Sequence, residues 1–186
     1  MYKNFNYENS RISYEVLGKG QPVVLLHGFG ESGSIWNKQD EVLQNYCKLI
    51  IPDIPGSGNS AMLEGENVSI EDYADCINAL LDEEKIETCI MLGHSMGGYI
   101  TLAYAEKYPN RLKAFGLVHS TAFADNEEKK LNRKKGIDLI QQYGGFSFLK
   151  NTTPNLFADT FKKEHPDEVA SLIEEGKTFR DEALIQ

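Results

Sequence analysis

Two textures of apolar and polar positions divide the chain. Residues 2–7 and 11–17 alternate, with Tyr14 and Val16 set against Ser13 and Glu15 on either side of the turn-forming Glu8-Asn9-Ser10. A period of two broken by turn formers predicts an antiparallel hairpin. After Gly18-Lys19-Gly20 the alternation gives way to unbroken apolar runs at 23–26, 49–51, 89–92 and 114–118. Such runs predict strands buried on both faces of a parallel sheet. Helical spacing fills the intervals. Ile70, Tyr73, Ala74, Ile77, Leu80 and Leu81 share one helical face, and Ser69-x-x-Asp72 ahead of them offers an N-cap. A second helix starts near Met96 and stops at Pro109, and residues 33–46, with Trp36, Val42 and Leu43, form a less regular third. Strands alternating with helices imply right-handed crossovers, so the expected fold class is α/β: a mostly parallel sheet with flanking helices.

From about Asp125 the apolar strand runs cease. Charged helical segments follow at 126–143, at about 155–163 and at 166–178, with a break at Gly144-Gly145. The expected organisation is a core over residues 1–124 and a helical cap over 125–186. The basic stretch from Lys129 to Lys135 fits a solvated helix face.

Composition narrows the partners. With 41% hydrophobic residues among 186, the chain is neither disordered nor collagenous. Its 19 basic residues face 28 acidic ones, and the whole net charge of −9 lies in residues 1–93. No broad cationic face exists for phosphates, which argues against nucleic acid. Cys47, Cys76 and Cys89 are odd in number and widely spaced, as buried structural thiols of a reducing compartment are. The N-terminal segment lacks the apolar stretch of a secretory signal and no run is long enough to span a membrane, so a cytoplasmic location is expected.

Three segments carry candidate chemistry. Gly93-His94-Ser95-Met96-Gly97 stands between a predicted strand and a predicted helix. A sharp turn there needs small residues two positions either side of the serine, and it places the first helical amides beside any developing oxyanion. Ser95 is thus a candidate nucleophile, or else a plain helix N-cap. His27-Gly28-Phe29-Gly30 closes the 23–26 strand at the same sheet edge. Its glycines let the backbone approach a bound carbonyl, which makes the Phe29 amide a candidate oxyanion donor beside that of Met96 and leaves His27 a structural role. Asp53-Ile54-Pro55-Gly56-Ser57-Gly58-Asn59-Ser60 follows the 49–51 strand and reads as a rigid loop whose Asp53 bonds loop amides.

These three motifs, in this order and spacing, resemble the α/β-hydrolase superfamily, in particular small esterase and peroxidase-like members with a helical cap. The resemblance implies Ser95 as nucleophile, the Phe29 and Met96 amides as oxyanion hole, and residues 53–60 as scaffold. It implies no metal and no cofactor, and a small-molecule acyl substrate: an ester, a thioester or a similar compound cleaved through an acyl-serine intermediate. Trp36 and Phe123 are candidates for lining its pocket. The family's triad acid and histidine follow the cap, whereas this sequence closes at Gln186, inside or just after it. The expectation is therefore a fragment of a longer hydrolase, inactive by itself; completion of the sheet by another chain and a natural short form are the alternatives. His119, with Asp125 on the same loop, is either a loop-packing residue or a substitute base with its acid. The 114–118 strand, left at the sheet edge, invites a homodimer. The competing function is a ligand-binding or interaction protein of the same fold that has lost its triad.

Overall fold

The computed structural model describes residues 2–186. They form two compact units, Met1–Phe123 and Ala124–Gln186. In the first, strand β1 (Tyr2–Tyr7) pairs antiparallel with β2 (Ser10–Gly18) through a turn at Glu8. Strands β3 (Pro22–Leu26), β4 (Lys48–Pro52), β5 (Cys89–His94) and β6 (Leu112–Val118) complete a six-stranded sheet in the order β1-β2-β4-β3-β5-β6. The pairings β4-β3, β3-β5 and β5-β6 are parallel, and β2 joins β4 antiparallel.

Alternate side chains of the buried strands feed two core clusters. Val24, Leu26 and Ile50 pack with the apolar face of α2 (Ile70–Glu83) and with Ile100 and Tyr104 of α3 (Met96–Lys107). Val23, Leu25, Leu49 and Ile51 pack instead with Trp36, Ile35 and Leu43, which come from a 3-10 turn at Gly33–Trp36 and helix α1 (Asn37–Leu43). Ser69 and Asp72 close α2 with a reciprocal capping box, which satisfies its first amides. The three cysteines are buried and unpaired by disulfides; burial pushes the Cys76 thiol up to about 12 and that of Cys89 to about 11.

Strand β6 lies at the edge of the sheet, as the sequence led us to expect. Its apolar run would suit burial on both faces, yet Lys113, Ala114 and Phe115 are exposed. The strand is outermost, paired only to β5 among the described strands, so its outer face has no neighbour to bury it.

The second unit is helical: α4 (Glu127–Tyr143), α5 (Gly145–Thr152), α6 (Asp159–Glu164), α7 (Pro166–Glu175) and α8 (Asp181–Ile185). Ile140, Leu149 and Leu184 form its small core. The Gly144-Gly145 break is shorter than the sequence pattern implies. Gly144 turns the chain at φ +83° and a new helix begins at once, with the Gly145 N–H donating to Asp181 Oδ1 at 2.7 Å.

Helix α2 is fastened to the sheet by a buried carboxylate. Glu84, just past its end, accepts from Lys3 Nζ at 2.7 Å, Lys48 Nζ at 3.0 Å and the Tyr14 hydroxyl at 2.9 Å, which come from β1, β4 and β2. Burial opposes its charge, but the bonds from Lys3, Lys48 and Tyr14 prevail and hold the carboxyl at about 2. A carboxyl lowered on folding stabilises the protein above its unfolded pKa, and that stability is lost as pH falls toward the folded value. Glu84→Gln should therefore cost about 2 kcal/mol at pH 7, with the gap to wild type closing between about pH 4.5 and pH 2 in urea unfolding.

Candidate active site

The carboxyl ends of β3 and β5 lie side by side, with Leu26 opposite Gly93, and the two turns that follow them meet. Ser95 occupies the junction of β5 and α3 at φ +48°, ψ −114°. This conformation is strained for any residue with a Cβ, and strain of this kind costs about 1–3 kcal/mol where the surroundings enforce it. The surroundings here are backbone. A Cβ at Gly97 would lie 2.6 Å from the His27 carbonyl oxygen and 2.7 Å from that of Leu26, and one at Gly93 would overlap the Gly97 carbonyl. The Ser95 N–H donates to Val118 O at 3.1 Å, and its carbonyl accepts from the Ser120 hydroxyl at 2.8 Å. Ser95 stands at the N-cap position of α3, but its side chain makes no capping hydrogen bond. Its neighbour Met96 opens α3, where the first amides lack intrahelical partners and face outward with the positive end of the helix dipole.

The facing turn is pinned by His27, which is fully buried. Its Nε2 accepts from the Ile54 N–H at 2.9 Å, so the proton is on Nδ1, which donates to Gly28 O at 2.8 Å. Burial holds the imidazole below the ordinary histidine pKa, in keeping with this neutral form. The Gly28 carbonyl and the Phe29 N–H belong to one trans peptide and point opposite ways, so the bond from His27 also fixes the direction of the Phe29 N–H. Asp53 braces the neighbouring loop by accepting from the Gly33 N–H at 2.9 Å and the Asn59 N–H at 2.8 Å.

Glu31 belongs to the same place and was not singled out by the sequence motifs. It is 6% exposed, and its Oε2 accepts from the Gly28 N–H at 2.7 Å and lies 2.9 Å from His94 Nδ1. The one sequence signal for it is a lone carboxylate in an otherwise small and apolar turn, Gly28-Phe29-Gly30-Glu31-Ser32-Gly33.

His119 follows β6 directly at φ +46°, exposed, with its ring edge-to-face with His94 at 6.2 Å between centroids. Asp125 belongs to the second unit, where its carboxylate accepts from Arg133 Nε at 2.5 Å, and that bond lowers its pKa. Trp36 is 7% exposed within the second core cluster, whereas Phe29 is 38% and Phe123 85% exposed. Among the described residues no group of three or more His, Cys, Asp or Glu side chains is placed to hold a metal ion, and no helix is long and apolar enough to cross a membrane.

A mostly parallel sheet with a strained serine between strand and helix, facing a backbone turn, is the arrangement of a hydrolase fold. Residues 21–172 match the family model of the alpha/beta hydrolase fold, and the chain belongs to that family. Over 110 residues it is 34% identical to the pimeloyl-acyl-carrier-protein methyl ester esterase of Aeromonas salmonicida, a match covering 59% of this chain and 42% of that protein. It is 36% identical over 105 residues to Lipase 1 of Psychrobacter immobilis, covering 56% and 33%. Among solved structures, a thermophilic esterase from Thermogutta terrifontis superposes with a TM-score of 0.88 at 28% identity, covering 95% of this chain and 65% of that one. The chain thus spans less than two thirds of the length of these relatives.

The strain at Ser95 is measurable without any substrate. Ser95→Gly, which tolerates the positive φ, should be about 1 kcal/mol more stable than Ser95→Ala in chemical denaturation, although glycine elsewhere is the less stable of the two.

Proposed function

We propose that the protein is a serine hydrolase that cleaves a small ester, thioester or similar acyl substrate through an acyl-Ser95 intermediate. The observation that carries this is the backbone of Ser95 at φ +48°, ψ −114°, which lifts a side chain free of capping bonds at the end of β5. The Ser95 hydroxyl attacks the carbonyl carbon, and the electrons of the C=O bond move to oxygen. The amides of Phe29 and Met96 donate to that oxyanion; one such donor is worth about a hundredfold or more in rate. A base takes the hydroxyl proton and returns it to the leaving oxygen or sulfur as the tetrahedral intermediate collapses and expels the alcohol or thiol. Water, deprotonated by the same base, then attacks the acyl-Ser95 carbonyl, and the acid leaves as the proton returns to Ser95. The names of the relatives, a methyl ester esterase and a lipase, support the substrate class.

A hydroxyl needs a base to attack at neutral pH. Within residues 1–186, both nitrogens of His27 are engaged, Nδ1 of His94 faces Glu31, and His165 sits 3.1 Å from Glu168 in the helical unit. His119, exposed just after β6 with its ring against that of His94, is the base we propose among these residues. Asp125, engaged by Arg133, is not assigned to orient it.

The test is p-nitrophenyl acetate turnover by the natural gene product beside Ser95→Ala and His119→Ala. Ser95→Ala should lower kcat by at least about a thousandfold with its fold intact, as loss of a nucleophile does. Turnover retained in Ser95→Ala rejects the nucleophile, and an equal loss in His119→Ala assigns the base. A ligand held without being consumed, equally by wild type and Ser95→Ala, would favour a binding protein instead.

A further inference from the structure

We propose that Glu31 is a positioning residue that clamps the turn carrying the Phe29 amide onto the elbow carrying Ser95, using the Gly28 N–H and the His94 imidazole as its two anchors. The proposal rests on the roles given above to Ser95 and Phe29.

A carboxylate buried to 6% exposure is costly unless its lone pairs meet donors. Glu31 meets two with a single oxygen, Oε2, at 2.7 Å from the Gly28 nitrogen and 2.9 Å from His94 Nδ1. One anchor belongs to the turn after β3 and the other to β5, so the carboxylate bridges two neighbouring parallel strands where their ladder has ended. A donor bond to the ionised carboxylate requires the proton of His94 on Nδ1.

Space and backbone freedom explain why the clamp sits at Gly28. The point where a Gly28 Cβ would begin is 2.8 Å from Glu31 Oε2, 3.0 Å from Ser95 Cβ and 3.1 Å from His94 Nδ1, so a side chain there would displace the Glu31 carboxylate from its anchors. Glycine is also the residue least able to hold its own dihedral angles. Two bonds hold them for it. Glu31 fixes the peptide before Gly28 through its N–H, and His27 fixes the peptide after it through its C=O. The second of those peptides contains the Phe29 N–H. Releasing Glu31 leaves one of the two planes free, and an amide displaced by an ångström loses most of its value to a transition state.

Glu31→Leu and Glu31→Gln in the natural gene product test this. A glutamine Oε1 can accept both bonds, whereas leucine accepts neither. Glu31→Leu should lower kcat for p-nitrophenyl acetate by about 10- to 100-fold with KM changed by less than about threefold, and Glu31→Gln should stay within about threefold of wild type in both. In nuclear magnetic resonance, the Gly28 amide should exchange at least about tenfold faster in Glu31→Leu, and His94 should keep its Nδ1 proton in Glu31→Gln but not in Glu31→Leu. Wild-type kcat and Gly28 protection in Glu31→Leu overturn the proposal, as does a Glu31→Gln variant impaired as deeply as Glu31→Leu. If Glu31→Leu does not fold, Glu31→Gln decides: protection of Gly28 and the Nδ1 proton of His94 support the clamp, and loss of either overturns it. Absence of Ser95-dependent turnover in wild type removes the hydrolase assignment, while exchange and imidazole nitrogen shifts still judge the clamp.

Discussion

The arrangement at the sheet edge depends on one backbone contact, that of Gly97 against the carbonyls of Leu26 and His27. A Cβ at Gly97 would stand 2.7 Å and 2.6 Å from those oxygens, so α3 comes this close to the end of β3 only without a side chain there. That approach forces the chain between β5 and α3 into a turn too sharp for ordinary dihedral angles, and Ser95 takes the strained position. Strain persists only where the surroundings over-determine it. Here they do so with the bond from the Ser95 N–H to the Val118 carbonyl and with the Ser120 hydroxyl, which donates to the Ser95 carbonyl.

The sheet supplies the rigidity that this turn requires. Strands β3 and β5 are interior strands of the sheet, with fully buried Leu25, Leu26 and Met91, and helices lie against the sheet through two separate clusters. Polar groups do the local work at the strand ends. His27 ties the turn after β3 to Ile54 after β4, Asp53 ties the loop after β4 to Gly33, and Glu31 ties the turn after β3 to His94. Each is a buried side chain satisfied by partners on a different strand connection, so neighbouring turns are fixed relative to one another more firmly than a sheet ladder alone would fix them.

Much of this was legible in the residues. The change from alternation to unbroken apolar runs marks the passage from the β1-β2 hairpin to parallel strands, because side chains on both faces must be buried there. Ser69 and Asp72 announce α2 through chemistry local to four residues. The glycines at 93 and 97 announce the elbow because nothing else fits. What was hidden depends on neighbours distant in sequence. The strand order itself, with β4 set between β2 and β3, rests on pairings that no run of five residues encodes. The restart of the chain as α5 at Gly145 depends on Asp181, 36 positions later. Glu31 looks like a surface charge in the sequence and becomes a bridge only once β3 and β5 are neighbours.

The most direct test of the account is a crystal structure of the natural gene product treated with an alkyl fluorophosphonate, whose phosphoryl oxygen mimics the oxyanion. The account predicts phosphorus bonded to Ser95 Oγ, with that oxygen about 2.7–3.1 Å from the amide nitrogens of both Phe29 and Met96. An adduct on another residue, or a phosphoryl oxygen on Ser95 turned away from both amides, would contradict it.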